Sequence, residues 1–208
     1  MSETLPVVYL ARHGETAWTV TGQHTGHVDL PLTEHGESQA GKLSERLRTR
    51  TYAKVFTSPL HRARRTCELA GFGQIAEIDP DLIEWDYGRY EGLLNAEILK
   101  ERPGWQMFRD GYPSGETPVQ VAARADRVAK RVRAVGGDVL LFSSGDFLKV
   151  LASRWIGMDV IHGGSFLLNT ASISTLAYAN SLEEPVIQVW NDTCHLETRT
   201  CQADSQSR

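Results

Sequence analysis

Long apolar runs are absent from the sequence, and no hydrophobic stretch of its 208 residues approaches the length of a membrane-spanning helix. Cysteine is also scarce. Cys67, Cys194 and Cys201 are odd in number and lack metal-ligand spacing, which argues against a disulfide framework and a cysteine-based metal centre. Basic residues form no long run and the net charge is -4, so we expect no general binding to nucleic acid or membrane surfaces.

Glycine-rich loops of the Walker type and G-x-S-x-G elbows are absent as well. Hydrophobic residues make up 41% and charged residues 23% of the chain, as in folded globular proteins. The first apolar segment begins within a few residues of the N-terminus, so we expect no signal peptide and a cytoplasmic location. We expect one domain over 1–195 and a polar tail over 196–208, and a homodimer is left open.

Short apolar segments alternate with amphipathic segments along most of the chain. The former predict strands, and the latter predict helices with one buried face. Ser58-Pro59 and the capping box Thr117-Pro118-Val119-Gln120 predict helix starts. The predicted strands are 5–11, 53–57, 138–143, 171–179 and 186–190, and the predicted helices are 33–50, 59–71, 118–135 and 146–156. This order indicates an α/β fold with a mostly parallel central sheet and helices on both faces, a long loop over 12–32 and a small cap segment around 85–116.

Three predicted strands end in polar residues that suit phosphate chemistry. The first ends in Arg12-His13, the second in Ser58 with Arg62 just beyond it, and the third at 143–145. Ligands of open α/β sheets bind beyond the carboxyl ends of the strands, so we expect these three ends to meet.

Arg12, His13 and Arg62 together favour phosphoryl transfer. Guanidinium groups donate paired hydrogen bonds to phosphate oxygens, and Arg62 would lie near free N–H groups at the start of its helix. A neutral histidine can attack phosphorus and form a phosphohistidine that water later cleaves. The residues alone leave a non-catalytic alternative open for each position. Arg12-His13 would then belong to a solvated loop, and Arg62 to an exposed helix face.

Glu84 is a candidate proton donor. It lies between apolar neighbours, where partial burial would raise its pKa and let it protonate a leaving oxygen. An acidic surface loop is the alternative for this residue. His24 and His27, with Asp29, have some metal-ligand character, but no element supports them, so we predict polar loop residues, no metal and no cofactor.

The stretch "LARHGETAW" at 10–18 resembles the signature of the histidine phosphatase superfamily, also called phosphoglycerate mutase-like. "GQHTGHVDLPLTEHGESQA", "TSPLHRARRT", "EWDYGRYEG", "GET" at 115–117 and the strand end "FSSG" follow in the family's order, with weaker support from "NTASIS". The resemblance implies an α/β fold with a mixed, mostly parallel central sheet between helices, and a phosphorylated nucleophile at His13. It also implies phosphate clamps at Arg12 and Arg62, and substrate-binding positions at Thr25 and Gly26. The implied proton donor is Glu84, with Tyr87 nearby as a further substrate-binding residue.

One position departs from the family pattern. The family carries a second histidine after the third strand, in a Ser-His-Gly or Ala-His-Gly sequence, and Ser144 stands at that place here. As a substrate-binding residue, Ser144 would offer a neutral hydrogen bond instead of a cation. Asp146 follows, and its carboxylate would repel phosphate if it faced the pocket. The alternative is an ordinary N-cap at Ser144 and a first-turn acid at Asp146.

The sequence therefore predicts a metal-independent phosphomonoesterase that acts on small phosphate esters such as sugar phosphates through a phosphohistidine at His13. A phosphoglycerate mutase-type phosphotransferase is one alternative. The segment between Tyr87 and Gly115 lacks the long cationic insertion expected of such mutases, which favours a phosphatase. Ser144 and Asp146 motivate a further alternative, a catalytically impaired module that binds phosphate esters.

Overall fold

The computed structural model describes residues 5–197, which contain a six-stranded sheet. The order β3-β2-β4-β1-β5-β6 places four parallel strands together, followed by β5 antiparallel to β1 and β6 antiparallel to β5. The predicted mixed, mostly parallel sheet is confirmed, although β3 was not predicted because it has only two exposed residues. The strands are β1 (Val8–Arg12), β2 (Lys54–Thr57), β3 (Glu77–Ile78), β4 (Val139–Ser143), β5 (Ile173–Tyr178) and β6 (Pro185–Asp192).

Helices cover both faces of the sheet, as predicted. Alternate residues of the central strands enter different apolar clusters: Leu10 and Leu141 pack in one cluster, and Ala11 and Phe142 in the other. Each of these side chains is almost fully buried, and burying a large apolar side chain stabilises a fold by about 1.5–3 kcal/mol. The helices are α1 (Ala17–Thr21), α2 (Glu34–Leu47), α3 (His61–Leu69), α4 (Asn95–Glu101), α5 (Met107–Asp110), α6 (Pro118–Arg133) and α7 (Gly145–Trp155).

The helix starts follow the sequence signals in one case and depart from them in two. Thr117 and Gln120 form the predicted capping box at the start of α6. The start predicted at Ser58-Pro59 is wrong, because α3 begins later and the carboxylate of Asp29 accepts the N–H of His61 (2.8 and 2.9 Å). The prediction of a loop throughout 12–32 is also wrong, since that segment contains α1, which starts in a local capping box at position 16.

The cap segment around 85–116 contains α4, α5 and a 3-10 helix, Gly88–Tyr90, around a cluster of aromatic rings. Tyr87 stacks on Tyr112 with ring centroids 4.4 Å apart, and Trp105 packs against Tyr112 at 5.4 Å. The predicted cap of short helices and loops is therefore confirmed, and its aromatic cluster reaches the carboxyl edge of the sheet through Tyr87.

The chain after β6 continues into a 3-10 helix, Cys194–Leu196. Most of the tail predicted over 196–208, including Cys201, lies outside the described residues. Over residues 5–197, none of the helices combines the length and the hydropathy needed to cross a membrane.

Candidate active site

The ends of β1, β2 and β4 meet at one edge of the sheet, as predicted. The N–H of His13 donates to the carbonyl of Ser143 (3.0 Å), and the N–H of Ser58 donates to the carbonyl of Phe142 (2.9 Å). A cavity of about 240 Å³ opens at this edge. Five residues predicted for the site line this cavity, namely Arg12, His13, Thr25, Glu84 and Tyr87, whereas Arg62, Gly26 and Ser144 do not.

His13 is 3% exposed, and its Nδ1 lies 2.7 Å from the carbonyl oxygen of Gly14. A carbonyl can only accept a hydrogen bond, so Nδ1 carries the proton and Nε2 of the neutral ring keeps its lone pair. Burial, followed by the charges of Arg62 and Arg12, holds the pKa of His13 well below its usual range, against a smaller opposing effect of the Gly14 bond. The imidazole is therefore neutral at neutral pH and has the tautomer of a nucleophile.

Arg12 brings a guanidinium group to the cavity wall. Its Nη1 donates to the carbonyl of Leu168, and its buried Nε has no hydrogen-bond partner within residues 5–197. A Cβ at Gly145 would lie 3.1 Å from this Nε, so the absence of a side chain there lets the guanidinium pack against the start of α7. Arg12 therefore combines a fixed position with an N–H group that is not used within the described part of the chain.

Arg62 is fully buried, and the structure does not bring it to the cavity surface. Its Nη1 donates to the carbonyl of Val28 (2.9 Å), and its Nη2 donates to those of Gly26 (2.7 Å) and Thr25 (3.3 Å). Burial lowers the pKa of Arg62, yet an arginine keeps its charge in proteins. In this arrangement Arg62 holds the loop after α1, and its charge helps to lower the pKa of His13. Its role as a phosphate clamp stays a prediction of the resemblance.

Glu84 is 4% exposed, and its carboxylate accepts hydrogen bonds from N–H groups in the first turn of α7. Its Oε1 accepts from the N–H of Phe147 (2.7 Å), and its Oε2 accepts from the N–H of Asp146 (3.1 Å). Burial and then the charge of Asp146 raise the pKa of Glu84, while its N–H donors and Arg62 act in the opposite direction. Glu84 is thus no surface residue, and its raised pKa suits a proton donor.

Asp146 lines the cavity, but both of its carboxylate oxygens are already bonded. Oδ2 accepts from the hydroxyl of Tyr87, and Oδ1 accepts from Nζ of Lys149 (3.0 Å). Burial alone would raise the pKa of Asp146, but Lys149 and the Tyr87 hydroxyl outweigh burial and hold that pKa below its usual value. Asp146 therefore faces the cavity as an ionised carboxylate that is paired with a cation. The sequence had left open a carboxylate that repels phosphate in the pocket and an ordinary first-turn acid, and the observed arrangement lies between these two.

Three residues predicted to bind substrate have different surroundings. Thr25 lines the cavity, and its hydroxyl donates to the carbonyl of Gln23 (3.1 Å). Gly26 is packed so tightly that a Cβ would lie 2.7 Å from the carbonyl oxygen of Trp85, so the absence of a side chain there lets two loops approach each other. Ser144 is fully buried at the N-cap of α7, and its Oγ has no hydrogen-bond partner within the described range 5–197.

Lys149 was not among the residues predicted for the site, and His24 was predicted to be a polar loop residue, yet both line the cavity. The spacing of Asp146 and Lys149 on a helix is a signal for their ion pair, but that spacing does not show which face meets the cavity. His24 packs edge-on against Tyr87 with centroids 5.3 Å apart, and burial lowers its pKa.

Two residues of the weak metal-ligand pattern at His24, His27 and Asp29 have other contacts. Asp29 accepts the N–H of His61, while Nε2 of His27 lies 3.2 Å from the carbonyl of Glu84. No group of three histidine, cysteine, aspartate or glutamate side chains in residues 5–197 is arranged to hold a metal ion.

The unbonded hydroxyl of Ser144 gives a prediction about stability. Replacing an N-cap serine by alanine usually costs about 0.5–2 kcal/mol of stability. Glu84 accepts the first N–H groups of α7 instead, so we expect Ser144→Ala to leave the free energy of unfolding in urea unchanged or slightly higher. Thr117→Ala, which removes a working cap, is the matched control and should lower it by about 1 kcal/mol. A comparable loss in both variants would contradict this account of Ser144.

Comparison with known proteins places these features in a family. The model of the histidine phosphatase superfamily (branch 1) matches residues 8–193. An acid phosphatase of Mycobacterium tuberculosis is 37% identical over 180 residues, covering 84% of this chain and 88% of that protein. A sedoheptulose 1,7-bisphosphatase of Saccharomyces cerevisiae is 31% identical over 255 residues, covering 91% of this chain and 94% of that protein.

Solved structures share the fold over most of their length. The structure of an open reading frame of Mycobacterium tuberculosis matches with a TM-score of 0.84 at 34% identity, over 89% of this chain and 97% of that one. A mycobacterial glucosyl-3-phosphoglycerate phosphatase matches with a TM-score of 0.77 at 26% identity, over 89% of this chain and 98% of that one. Since the family match runs from β1 to the residue after β6, the chain belongs to branch 1 of the histidine phosphatase superfamily.

Proposed function

We propose that this protein is a phosphomonoesterase that removes phosphate from small phosphorylated metabolites such as sugar phosphates, through a phosphohistidine intermediate at His13. One observation carries the proposal: His13 is buried and neutral, and its Nδ1 is bonded to Gly14, so its Nε2 lone pair is free at a cavity wall. Arg12 is a cation on the same wall and Glu84 an acid with a raised pKa, which are the other groups that ester cleavage needs.

The proposed reaction has two displacements at phosphorus. Nε2 of His13 attacks the phosphorus atom while the bond to the ester oxygen breaks, and protonated Glu84 gives its proton to that oxygen. Water then attacks the phosphohistidine, the P–N bond breaks, and Glu84 takes a proton from the water, so both residues return to their starting states. Arg12 stabilises the charge that spreads over the phosphoryl oxygens in both steps.

The relatives favour a sugar phosphate as the substrate and hydrolysis as the reaction. The named acid phosphatase, sedoheptulose 1,7-bisphosphatase and glucosyl-3-phosphoglycerate phosphatase are all phosphatases, and two of these names contain a sugar. A probable phosphoglycerate mutase of Klebsiella pneumoniae is 33% identical over 207 residues, covering 91% of this chain and 94% of that protein, which keeps phosphotransfer as a second candidate. Short helices and packed aromatic rings in the cap favour the phosphatase, because a mutase was expected to carry a long cationic insertion there.

A catalytically impaired binding module is the remaining alternative, and the contacts of Asp146 argue against it. The repulsion between this carboxylate and a phosphate is offset by the ion pair with Lys149, so the cavity does not present an isolated negative charge. We further propose that the protein is cytoplasmic and that residues 1–195 form a single domain. Whether it forms a homodimer is left open, as in the sequence analysis.

Phosphate release from a panel of esters tests the proposal. We expect turnover of 4-nitrophenyl phosphate and of several sugar phosphates, and no transfer of the phosphoryl group between positions of phosphoglycerate. Activity should survive prolonged treatment with EDTA, because the charges of Arg12 and Arg62 supply the positive field in this mechanism. Phosphate binding without turnover would instead support the binding module, and activity that is lost to EDTA and restored by a divalent cation would contradict the metal-independent mechanism.

A further inference from the structure

Lys149 is a cation on the cavity wall that the mechanism above does not use. Among the cavity-lining residues, all of which lie in the described part of the chain, Arg12 and Lys149 carry a positive charge at neutral pH. Burial lowers the pKa values of His13 and His24, so both rings are neutral, and Arg62 does not reach the cavity surface. Lys149 is therefore the cation that can approach a bound phosphoryl group from α7.

The charge that develops in the reaction calls for more than Arg12 provides. The transition state of phosphoryl transfer spreads negative charge over three equatorial oxygens. Arg12 already uses Nη1 on the carbonyl of Leu168. Ser144, where the resemblance implies a second histidine, is fully buried and does not line the cavity. Preorganised donors aimed at such charge are usually the largest single contribution to catalysis, so a second cation should have a large effect.

Lys149 is held in a position to act as that cation. Its Nζ donates to Oδ1 of Asp146 (3.0 Å) and lies 5.8 Å from the centre of the Phe108 ring. An ammonium group has three N–H donors, so two remain after the bond to Asp146. The hydroxyl of Tyr87 holds the other oxygen of Asp146, which fixes the carboxylate that orients Lys149.

Lys149 also lies at the boundary between the site cavity and a second, larger cavity. A second cavity of about 720 Å³ shares Lys149 and His24 with the first and is otherwise lined by the cap and by residues before β5, including Trp105, Phe108 and Ile161. A phosphate ester with its phosphorus near His13 would extend toward this larger space. Lys149 thus lies where the phosphoryl group and the remainder of an ester would meet.

We propose that Lys149 is the second phosphate-binding cation of this site and contacts the phosphoryl oxygens in the place of the second histidine that the resemblance implies at position 144. This inference rests on the proposed phosphatase function. It assigns Asp146 the role of a positioning residue that holds the ammonium group at the cavity wall, which explains why a carboxylate is present beside a phosphate site.

Charge-removing and charge-conserving variants of Lys149 test the proposal. We expect Lys149→Gln to lower kcat and kcat/KM for 4-nitrophenyl phosphate by ~10²–10³-fold, the usual effect of removing one group that stabilises the transition state. Lys149→Arg keeps the charge and should stay within about tenfold of the wild type. Lys130→Gln, the same change at an exposed position of α6, is the matched control and should have no effect. A Lys149→Gln variant within about threefold of the wild type overturns the proposal.

A double-mutant cycle separates a catalytic role from a structural one. Ser144→His places an imidazole where the resemblance implies the family's second histidine, so Lys149→Gln should cost at least about tenfold less in that background than in the wild type. A purely structural ion pair would give the same loss in both backgrounds, and that result overturns the proposal.

Chemical labelling of the wild-type protein supplies a test that needs no variant to fold. Inorganic phosphate should slow acetylation of Lys149 by an amine-reactive reagent, measured by mass spectrometry, while the exposed Lys130 reacts at an unchanged rate. Equal labelling of Lys149 with and without phosphate overturns the proposal. A wild-type protein without turnover would contradict the phosphatase function itself, and the labelling would then still support or overturn the phosphate contact of Lys149.

Discussion

His13→Ala is expected to lower the rate of phosphate release by about four orders of magnitude or more, as found when an enzyme loses the nucleophile of a covalent mechanism. The wild-type protein quenched during turnover should carry phosphate that is stable in alkali and released in acid, because a P–N bond has that lability. His13→Ala should carry none. These expectations follow from the free Nε2 lone pair at the cavity wall and from the depressed pKa that keeps the ring neutral.

Two further variants control this experiment. His13→Asn retains a side-chain N–H that can donate to the carbonyl of Gly14 but has no atom at the place of Nε2, so it should fold like the wild type and remain inactive. His35→Ala removes an exposed histidine from α2 and should change neither turnover nor phosphate incorporation. Wild-type rates in both His13 variants would show that the nucleophile is another group.

The central sheet could be predicted because local pattern and tertiary environment agree there. In β4, the four residues at 139–142 are apolar and completely buried, so a continuous hydrophobic run was a reliable sign of a strand covered on both faces. The same rule missed β3, whose two residues, Glu77 and Ile78, are both exposed at the sheet edge. It pairs in parallel with β2, and two exposed residues carry no hydrophobic pattern that indicates this pairing.

The start of α3 shows a second limit. Ser58 and Pro59 carry the local signals of a helix start, yet the group that accepts the N–H of His61 is Asp29, more than thirty residues earlier. Arg62 shows the same limit, because its guanidinium group is used by carbonyls of the loop before α2. Both contacts depend on how that loop folds back on the sheet, which spacing along the sequence does not specify.

The residue types of the site were more predictable than their contacts. Arg12, His13, Glu84 and Tyr87 were identified from motifs and do line one cavity. The i,i+3 spacing of Asp146 and Lys149 indicates an ion pair, but whether this pair faces the cavity was not predictable. That depends on the direction of α7, whose first N–H groups bond to a carboxylate from the loop after β3.

Glu84→Gln is expected to lower kcat/KM by ~10²–10⁴-fold for alkyl and sugar phosphates and much less for 4-nitrophenyl phosphate, whose leaving group needs no proton. A glutamine retains an oxygen that can accept the N–H of Phe147 but cannot donate an acidic proton, so the difference between substrates isolates proton transfer from the support of α7. The measurement is a plot of log kcat/KM against the pKa of the leaving alcohol, which should be steeper for the variant than for the wild type.

The pH dependence provides an independent test of the same role. Turnover needs a neutral His13 and a protonated Glu84. The pKa of His13 is held well below its usual value of 6.5, so the ring stays neutral and active well below that pH. The pKa of Glu84 is raised above its usual value of 4.5, so Glu84 stays protonated at higher pH than an ordinary glutamate. For alkyl phosphates, kcat/KM should therefore fall as pH rises through the pKa of Glu84, and this fall should be absent in Glu84→Gln. Equal losses on all leaving groups, together with an unchanged alkaline limb, would mean that Glu84 supports α7 alone and that another group protonates the alcohol.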